Sequence, residues 1–215
     1  MPSGPIHSIA ILGAGKLGTV LARLATKAGY QVRIAGSGDP AKIALAMRFI
    51  APDALATTTA GAINKADVVI LALPLGKYHT LTPDQFDGKL VIDAMNYWWE
   101  VDGDDPEIAR PKHSSSELIQ DYLKTARVVK ALSHMGYHHL FDENTPPGTP
   151  HRKAIAIAGN STSDTQAVAH LVDDLGFDPV IIGKLSMGKI LEPGQPLFGA
   201  NIGKKQLLIY VSDKL

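Results

Sequence analysis

The chain predicts an α/β fold, a doubly wound and mostly parallel sheet of Rossmann type with a short C-terminal extension, on three observations. The run from Ser8 to Gly18, S-I-A-I-L-G-A-G-K-L-G, sets a short apolar segment before glycines spaced G-x-G-x-x-G, and apolar residues follow at helical intervals (Leu17, Val20, Leu21, Leu24, Ala28). Asp67–Leu73, D-V-V-I-L-A-L, is apolar without alternation, as expected of a parallel strand covered on both faces. Strand-like and helix-like stretches then alternate toward the C-terminus, the pattern of a sheet wound by helical crossovers. No internal repeat or low-complexity segment interrupts them, so residues 1–215 read as a single domain, with a dinucleotide-binding core over 1–150 and an α/β extension over 151–215.

Taken in order, Ile9–Leu12 make the first strand, and Gly29 stops the helix after it. Gln31–Ala35 is the second strand, ending at Ala35-Gly36-Ser37-Gly38. Asp39 before Pro40 has the form of an N-cap with proline at the first helical position, which predicts a helix from Pro40 to about Phe49. Ala54–Thr58 reads as a short strand. Asp67–Leu73 stops at Pro74-Leu75-Gly76, on the strand edge where such folds bind ligands. Lys89–Ala94 and Arg127–Leu132 are further strands, separated by a loop over Asn96–Asp105 and a helix that Ser114 and Glu117 open as a capping box. Asp142–Arg152 carries Pro146, Pro147, Gly148 and Pro150 and is expected to be a loop serving as a lid or partner-contacting arm. Ala154–Ala158 and Pro179–Ile182 are strands joined by a helix over about Thr162–Leu175, and Lys204–Val211 is weakly helical.

Composition narrows the function. The 21 basic residues balance the 21 acidic ones, so nothing invites nucleic acid or an anionic membrane surface. The chain has no cysteine and hence no disulfide or thiolate nucleophile. Met1–His7 lacks a basic leader pattern and no run reaches the ~20 apolar residues of a membrane span, so a cytoplasmic protein is expected. Leu197, Phe198, Leu207, Leu208, Ile209 and Tyr210 need a covering surface, which either a homodimer or packing within the chain supplies.

The glycines have separate tasks. Gly13 makes the turn, Gly15 lets a pyrophosphate approach the backbone, and Gly18 lets the helix press on the strand. The helix N-terminus then offers amides and a positive dipole end to the anion. NAD sites use a carboxylate about 20 residues past the glycines to bind the ribose. The second strand carries none at its tip; Ser37 and Lys42 stand there instead and suit a 2′-phosphate, which favours NADP over NAD, the plain alternative being a turn serine and a surface lysine. His134, His138 and His139 gather after one strand, either as satisfied loop histidines or as contacts to a ring or phosphate. They lack the carboxylate pattern of a metal motif, and no metal is expected. Trp98 and Trp99 either stack on a flat acceptor or, as such pairs more often do, cap a core. Asp102, Asp104 and Asp105 read as a solvated turn.

Several blocks together resemble the NADPH-dependent reductases of the deazaflavin coenzyme F420. They are G-A-G-K-L-G, the Gly36-Ser37 tip with Lys42 behind it, Leu73-Pro74, Asp93-Ala94-Met95-Asn96-Tyr97, Val129-Lys130-Ala131 leading to His134-Met135-Gly136-Tyr137-His138, and Leu191-Glu192-Pro193-Gly194. The similarity runs from about residue 8 to 200 and is nearest to the bacterial branch with D-A-M-N-Y and H-x-G-Y-H. It implies that Ala14, Gly15, Lys16 and Leu17 line the pyrophosphate and that Ser37, Gly38 and Lys42 meet the 2′-phosphate. Archaeal members often place an arginine where Gly38 stands, so one phosphate-binding cation is missing here. Leu73, Pro74 and Leu75 are implied along the nicotinamide half, with Asn96 and the Met135-Gly136 backbone closing round the ring.

The activity so implied is hydride transfer between NADP(H) and coenzyme F420, a small-molecule redox acceptor. Such a transfer needs two rings held face to face in a dry slot and no side-chain nucleophile, in keeping with the lack of a recognisable triad. His134, His138 and Asn96 are the candidate contacts to the acceptor ring. The alternatives are a flavin or metal-reductase-like enzyme and a non-catalytic NADP(H)-binding redox sensor. β-Hydroxyacid dehydrogenases and pyrroline-carboxylate reductases share the N-terminal pattern but add a long helical domain, whereas the 65 residues after Pro150 contain two strand signals.

Overall fold

The computed structural model describes residues 5–109 and 113–212; residues 1–4, which begin the stretch read for a leader, 110–112 and 213–215 lie outside the described residues. Eight strands form one sheet in the order β3-β2-β1-β4-β5-β6-β7-β8. Its first part is the 3-2-1-4-5-6 order of dinucleotide-binding folds, with the reversal between β1 and β4.

β1 (Ser8–Leu12) is buried along its whole length and pairs in parallel with β2 (Gln31–Ala35) and β4 (Val68–Leu71). Ile9 and Ile11 enter the core on one face, Ala10 and Leu12 the core on the other, so the strand has no polar side. α1 (Lys16–Lys27) turns Leu21, Ala22, Leu24 and Ala25 inward. Its chain leaves through Ala28 and Gly29, which has φ +93°.

α2 (Ala41–Ile50) begins one residue later than Pro40, which takes the N-cap position expected of Asp39, and the Asp39 carboxylate, one residue further out, accepts the Ala41 amide at 2.9 Å. The third strand shrinks to β3 (Leu55–Ala56). It leads into α3 (Thr59–Asn64), a helix unforeseen in the sequence because six residues with Gly61 inside carry too little periodicity. Thr58 caps it by accepting the Gly61 amide at 3.2 Å. β4 gives way at Pro74 to a 3₁₀ turn over Leu75–Thr80, and β5 (Leu90–Asp93) lies beside β4.

The expected loop over Asn96–Asp105 contains a short helix, α4 (Trp99–Asp102), and α5 (Pro106–Ala109) follows it. α6 (Ser115–Tyr122) has the predicted capping box, with both the Ser114 and Glu117 hydrogen bonds in place. β6 (Arg127–Lys130) ends two residues earlier than Leu132, whose φ of +63° is incompatible with an extended strand. α7 (Tyr137–Asp142) then packs along α1.

β7 (Ala154–Gly159) runs antiparallel to β6, and β8 (Asp178–Gly183) runs parallel to β7, so the extension continues the same sheet. α8 (Thr162–Asp174) joins those two strands, and α9 (Lys204–Ser212) covers them with Leu207 and Val211. The segment expected as a lid is tied down instead. Arg152 is 5% exposed; its guanidinium is hydrogen-bonded to the carboxylates of Asp173 and Asp178 and to the backbone oxygens of Thr145 and Asp173. Four charge-assisted contacts from one side chain hold the loop against α8 and β8. No helix among the described residues is long and apolar enough to cross a membrane.

Candidate functional site

Because β1, β2, β4, β5 and β6 are parallel, their carboxyl ends share one edge, and the loops leaving that edge carry the residues singled out above. Gly13 has φ +117°, and a Cβ there would lie 2.2 Å from the Ala72 oxygen at the end of β4. A Cβ at Gly18 would meet the Gly13 oxygen at 1.8 Å. Around a Cβ at Gly15 there is nothing within 4 Å. Two glycines are therefore demanded by close packing inside the protein, whereas the third faces open space in front of α1.

That space faces an N-terminus suited to an anion. Gly15 is the N-cap and has no side chain to take the first amides, and no acidic residue stands in the first turn. Ala14, Gly15, Lys16 and Leu17, the residues expected to line a pyrophosphate, surround this open N-terminus.

At the tip of β2 the turn folds back on itself. Gly38 has φ +84°, and its missing Cβ would lie 3.8 Å from Lys42 Nζ. Ser37, Gly38 and Lys42 are thus adjacent and exposed. The neighbouring carboxylate of Asp39 is committed to the α2 amide.

The other half of the edge is built from three loops. After β4, Leu73 is half-buried and Pro74 exposed, but Leu75 is 0% exposed and packs in the core, so its side chain does not line the edge as expected. After β5, the Asn96 amide nitrogen donates to the Ser133 carbonyl at 2.6 Å, and Asn96 Oδ1 is a buried acceptor without a hydrogen-bond partner. After β6, Met135 is buried and Gly136 caps α7, with the exposed His138 ring folded over it: a Cβ at Gly136 would meet His138 Cε1 at 2.8 Å. Lys16 Nζ stands 5.5 Å above the Tyr137 ring, which brings the start of α1 to the start of α7.

His134 is placed differently from His138. It is 1% exposed, and its Nε2 accepts the Ala156 amide of β7 at 3.0 Å, so the ring is used to join β7 to the loop after β6. Burial lowers its pKa to about 4 against a weaker opposing pull from the Ala200 backbone, which keeps it neutral. The expectation that it touches an acceptor ring gives way to this internal position.

Two further expectations are corrected. Asp102 is not a solvated turn residue: Oδ1 accepts the Gly76 amide and Oδ2 the Trp98 amide, both at 2.9 Å, which clamps the loop after β5 to the turn after β4. Trp98 and Trp99 do not cap a core, since they are 49% and 59% exposed; Trp98 lies edge-on to Phe198 with ring centroids 5.6 Å apart.

The structure also brings forward Lys130, Asp93 and Ser116, to which the sequence reading gave no role of their own. They form a buried polar cluster under the loop after β5. The signal was a lysine inside the apolar run Arg127–Leu132, which a covered strand tolerates only opposite a buried carboxylate. Glu192 of the L-E-P-G block accepts the Ser115 amide at 2.6 Å and so caps α6. A cleft of about 550 Å³ beside Gln120, Arg127, Asn160 and Asp164 lies away from this edge, and Arg127 is bound to Asp164 and Asn160 to the Leu185 amide.

Residues 8–97 match the family described as NADP oxidoreductase, coenzyme F420-dependent. A hypothetical protein of Sinorhizobium meliloti has a similar structure, with 30% sequence identity and a TM-score of 0.79 over 92% of this chain and 95% of that one. An Arthrobacter sp. FB24 structure, described as a candidate F420-dependent NADP-reductase, is 24% identical, with a TM-score of 0.71 over 84% of this chain and 86% of that one. An imine reductase from Pseudomonas sp. shares the fold at 18% identity and a TM-score of 0.59; 98% of this chain aligns with 62% of that longer one. No curated protein matches the chain significantly. Residues 8–97 thus carry an NADP oxidoreductase family domain, and the chain as a whole is related near end to end to the Sinorhizobium protein.

Proposed function

We propose that the protein transfers hydride between NADP(H) and the deazaflavin coenzyme F420. The observation that carries the nucleotide half is the open space at Gly15 before an uncapped helix, with Gly13 and Gly18 locked by packing on either side. Ser37, Gly38 and Lys42 supply a hydroxyl, a left-handed turn and an ammonium for a 2′-phosphate. The acceptor half is supported by the description of the matching family and by the aromatic Trp98 and Phe198 beside the Asn96 loop.

When bound, the nicotinamide supplies or receives the hydride, and the acceptor ring is its counterpart. The protein's part is placement. The α1 amides hold the diphosphate, Leu73 and Pro74 flank the ring, and Asn96 Oδ1 is an unfilled acceptor suited to a carboxamide N–H. The exposed His138 over Gly136 stands where it can stabilise charge on a reduced acceptor.

A flavin acceptor is the second reading, and one observation favours it. Glu100, Asp104 and Glu107 are exposed beside the Asp102 clamp, and an acceptor with an anionic tail, coenzyme F420 or a flavin nucleotide, meets repulsion there that uncharged riboflavin does not. The test is to follow NADPH absorbance with the purified protein and coenzyme F420, a flavin, or no acceptor. Turnover with coenzyme F420 alone supports the proposal, turnover with flavin alone replaces it by the second reading, and tight binding without oxidation identifies a non-catalytic NADP(H)-binding protein.

A further inference from the structure

Lys130 ends β6 and Asp93 ends β5, paired in register; both are 0% exposed, with Nζ 3.2 Å from Oδ2. Removing an ammonium and a carboxylate from water is offset only when their other donors and acceptors are filled, and a well-packed apolar pair is often at least as stable. Here two residues, Met95 and Ser116, supply partners. The Met95 amide donates to Asp93 Oδ1 at 2.9 Å, and the Met95 carbonyl accepts from Lys130 Nζ at 2.6 Å. Ser116 donates to Asp93 Oδ2 at 2.6 Å. Gly188 leaves room for the lysine stem, since a Cβ there would come within 3.2 Å of Lys130 Cγ. The ion pair thus grips both polar ends of the residue just before Asn96. Asn96 in turn donates to the Ser133 carbonyl, which fixes the sense of its amide and leaves Oδ1 as the unfilled acceptor.

We propose that Lys130 and Asp93 are positioning residues for the nicotinamide end of the cofactor site, holding the Met95 peptide and Asn96 in one arrangement at the strand ends. The pair acts through the loop and does not touch the cofactor. A polar clamp is the device that serves this end, because an apolar pair of the same volume packs as well but directs no peptide. The inference rests on the nucleotide reading above.

Two ligands separate the ends of the site: 2′,5′-ADP reports the Gly15 and Lys42 end, and the emission of bound NADPH reports how firmly the dihydronicotinamide ring is held. The variants are Lys130→Met and the double variant Asp93→Asn with Lys130→Met, in which no unpaired charge is left buried. Both are expected to keep their affinity for 2′,5′-ADP within about twofold, a change too small to signal a lost contact. The emission enhancement of saturating NADPH is expected to fall by at least about half, as a ring released from a fixed site behaves. The double variant regains thermal stability without regaining the emission. Unchanged NADPH emission in the variants overturns the proposal, as does parallel loss of 2′,5′-ADP or recovery of both stability and emission in the double variant. A double variant that does not fold also counts against it, because the pair then holds the fold and not the site. Wild-type protein that binds 2′,5′-ADP but holds NADPH without enhancement overturns this inference alone, and wild-type protein that binds neither overturns the nucleotide reading beneath it.

Discussion

Gly15 and Gly18 are interchangeable letters in the motif and opposite objects in the structure. Gly15 has φ −82°, ψ −166° and empty space at its Cβ position, so Gly15→Val is expected to leave stability within about 0.5 kcal/mol while weakening NADPH at least tenfold, read by thermal melting and titration. Gly18→Ala drives a methyl into the Gly13 carbonyl and is expected to cost about 2–3 kcal/mol in a denaturant titration. Lys42→Ala separates the two cofactors: NADPH binding weakens by about 1–2 kcal/mol and NADH binding hardly changes, whereas equal losses contradict the 2′-phosphate assignment. His134 sets an acid limit. Its folded pKa of about 4 lies below the ordinary 6.5, so between those values the unfolded chain binds the extra proton and folding loses stability as pH falls. Stability from this source is complete above pH 6.5 and declines by about 3 kcal/mol toward pH 4. The difference between wild type and His134→Gln, measured by urea unfolding across that range, should show this slope and be flat above it.

Among the elements, helix ends and tethers carry most of the specific polar interactions. α6 is capped twice, by the Ser114–Glu117 box and by Glu192 reaching across from the tail. The L-E-P-G block of the resemblance is therefore a structural latch in this chain. In the loop over 143–152, Arg152 ties the C-terminal end, while the Thr145 amide, Asn144 and Glu143 hold the N-terminal end to Gly176, Lys27 and Asn201. Arg152→Met keeps the aliphatic stem but strands two partly exposed carboxylates and two carbonyls, and is expected to cost about 2–3 kcal/mol, with the loop becoming the first site of proteolytic cleavage. The loop after β5 has the same logic at the site, since Asp102 and Asn96 fasten it to the loops on either side.

At the level of the whole molecule, one eight-stranded sheet places six parallel strand ends beside each other and leaves the extension, β7 to α9, to brace them through His134 and Glu192. Of the apolar tail residues, Leu197 and Leu207 are buried within the chain, while Leu208, Ile209 and Tyr210 stay about half exposed on α9. A ligand that binds only the folded state stabilises all of it. NADPH at a hundredfold its Kd is expected to add about 2.7 kcal/mol and raise Tm by roughly 5–10 °C in calorimetry, and no shift would count against the nucleotide site. Local sequence determined the glycine turn, the unbroken apolar strands, the Ser114 box and the Rossmann order of the elements, because each follows from steric or periodic rules acting over a few residues. Tertiary structure alone decided that Leu75 and His134 point inward, that β7 reverses, that Asp102 and Arg152 are tethers, and that Lys130 meets Asp93. Those outcomes depend on partners 22 to 37 residues away in the chain, and no local pattern records which distant carboxylate or amide will fill a buried polar group.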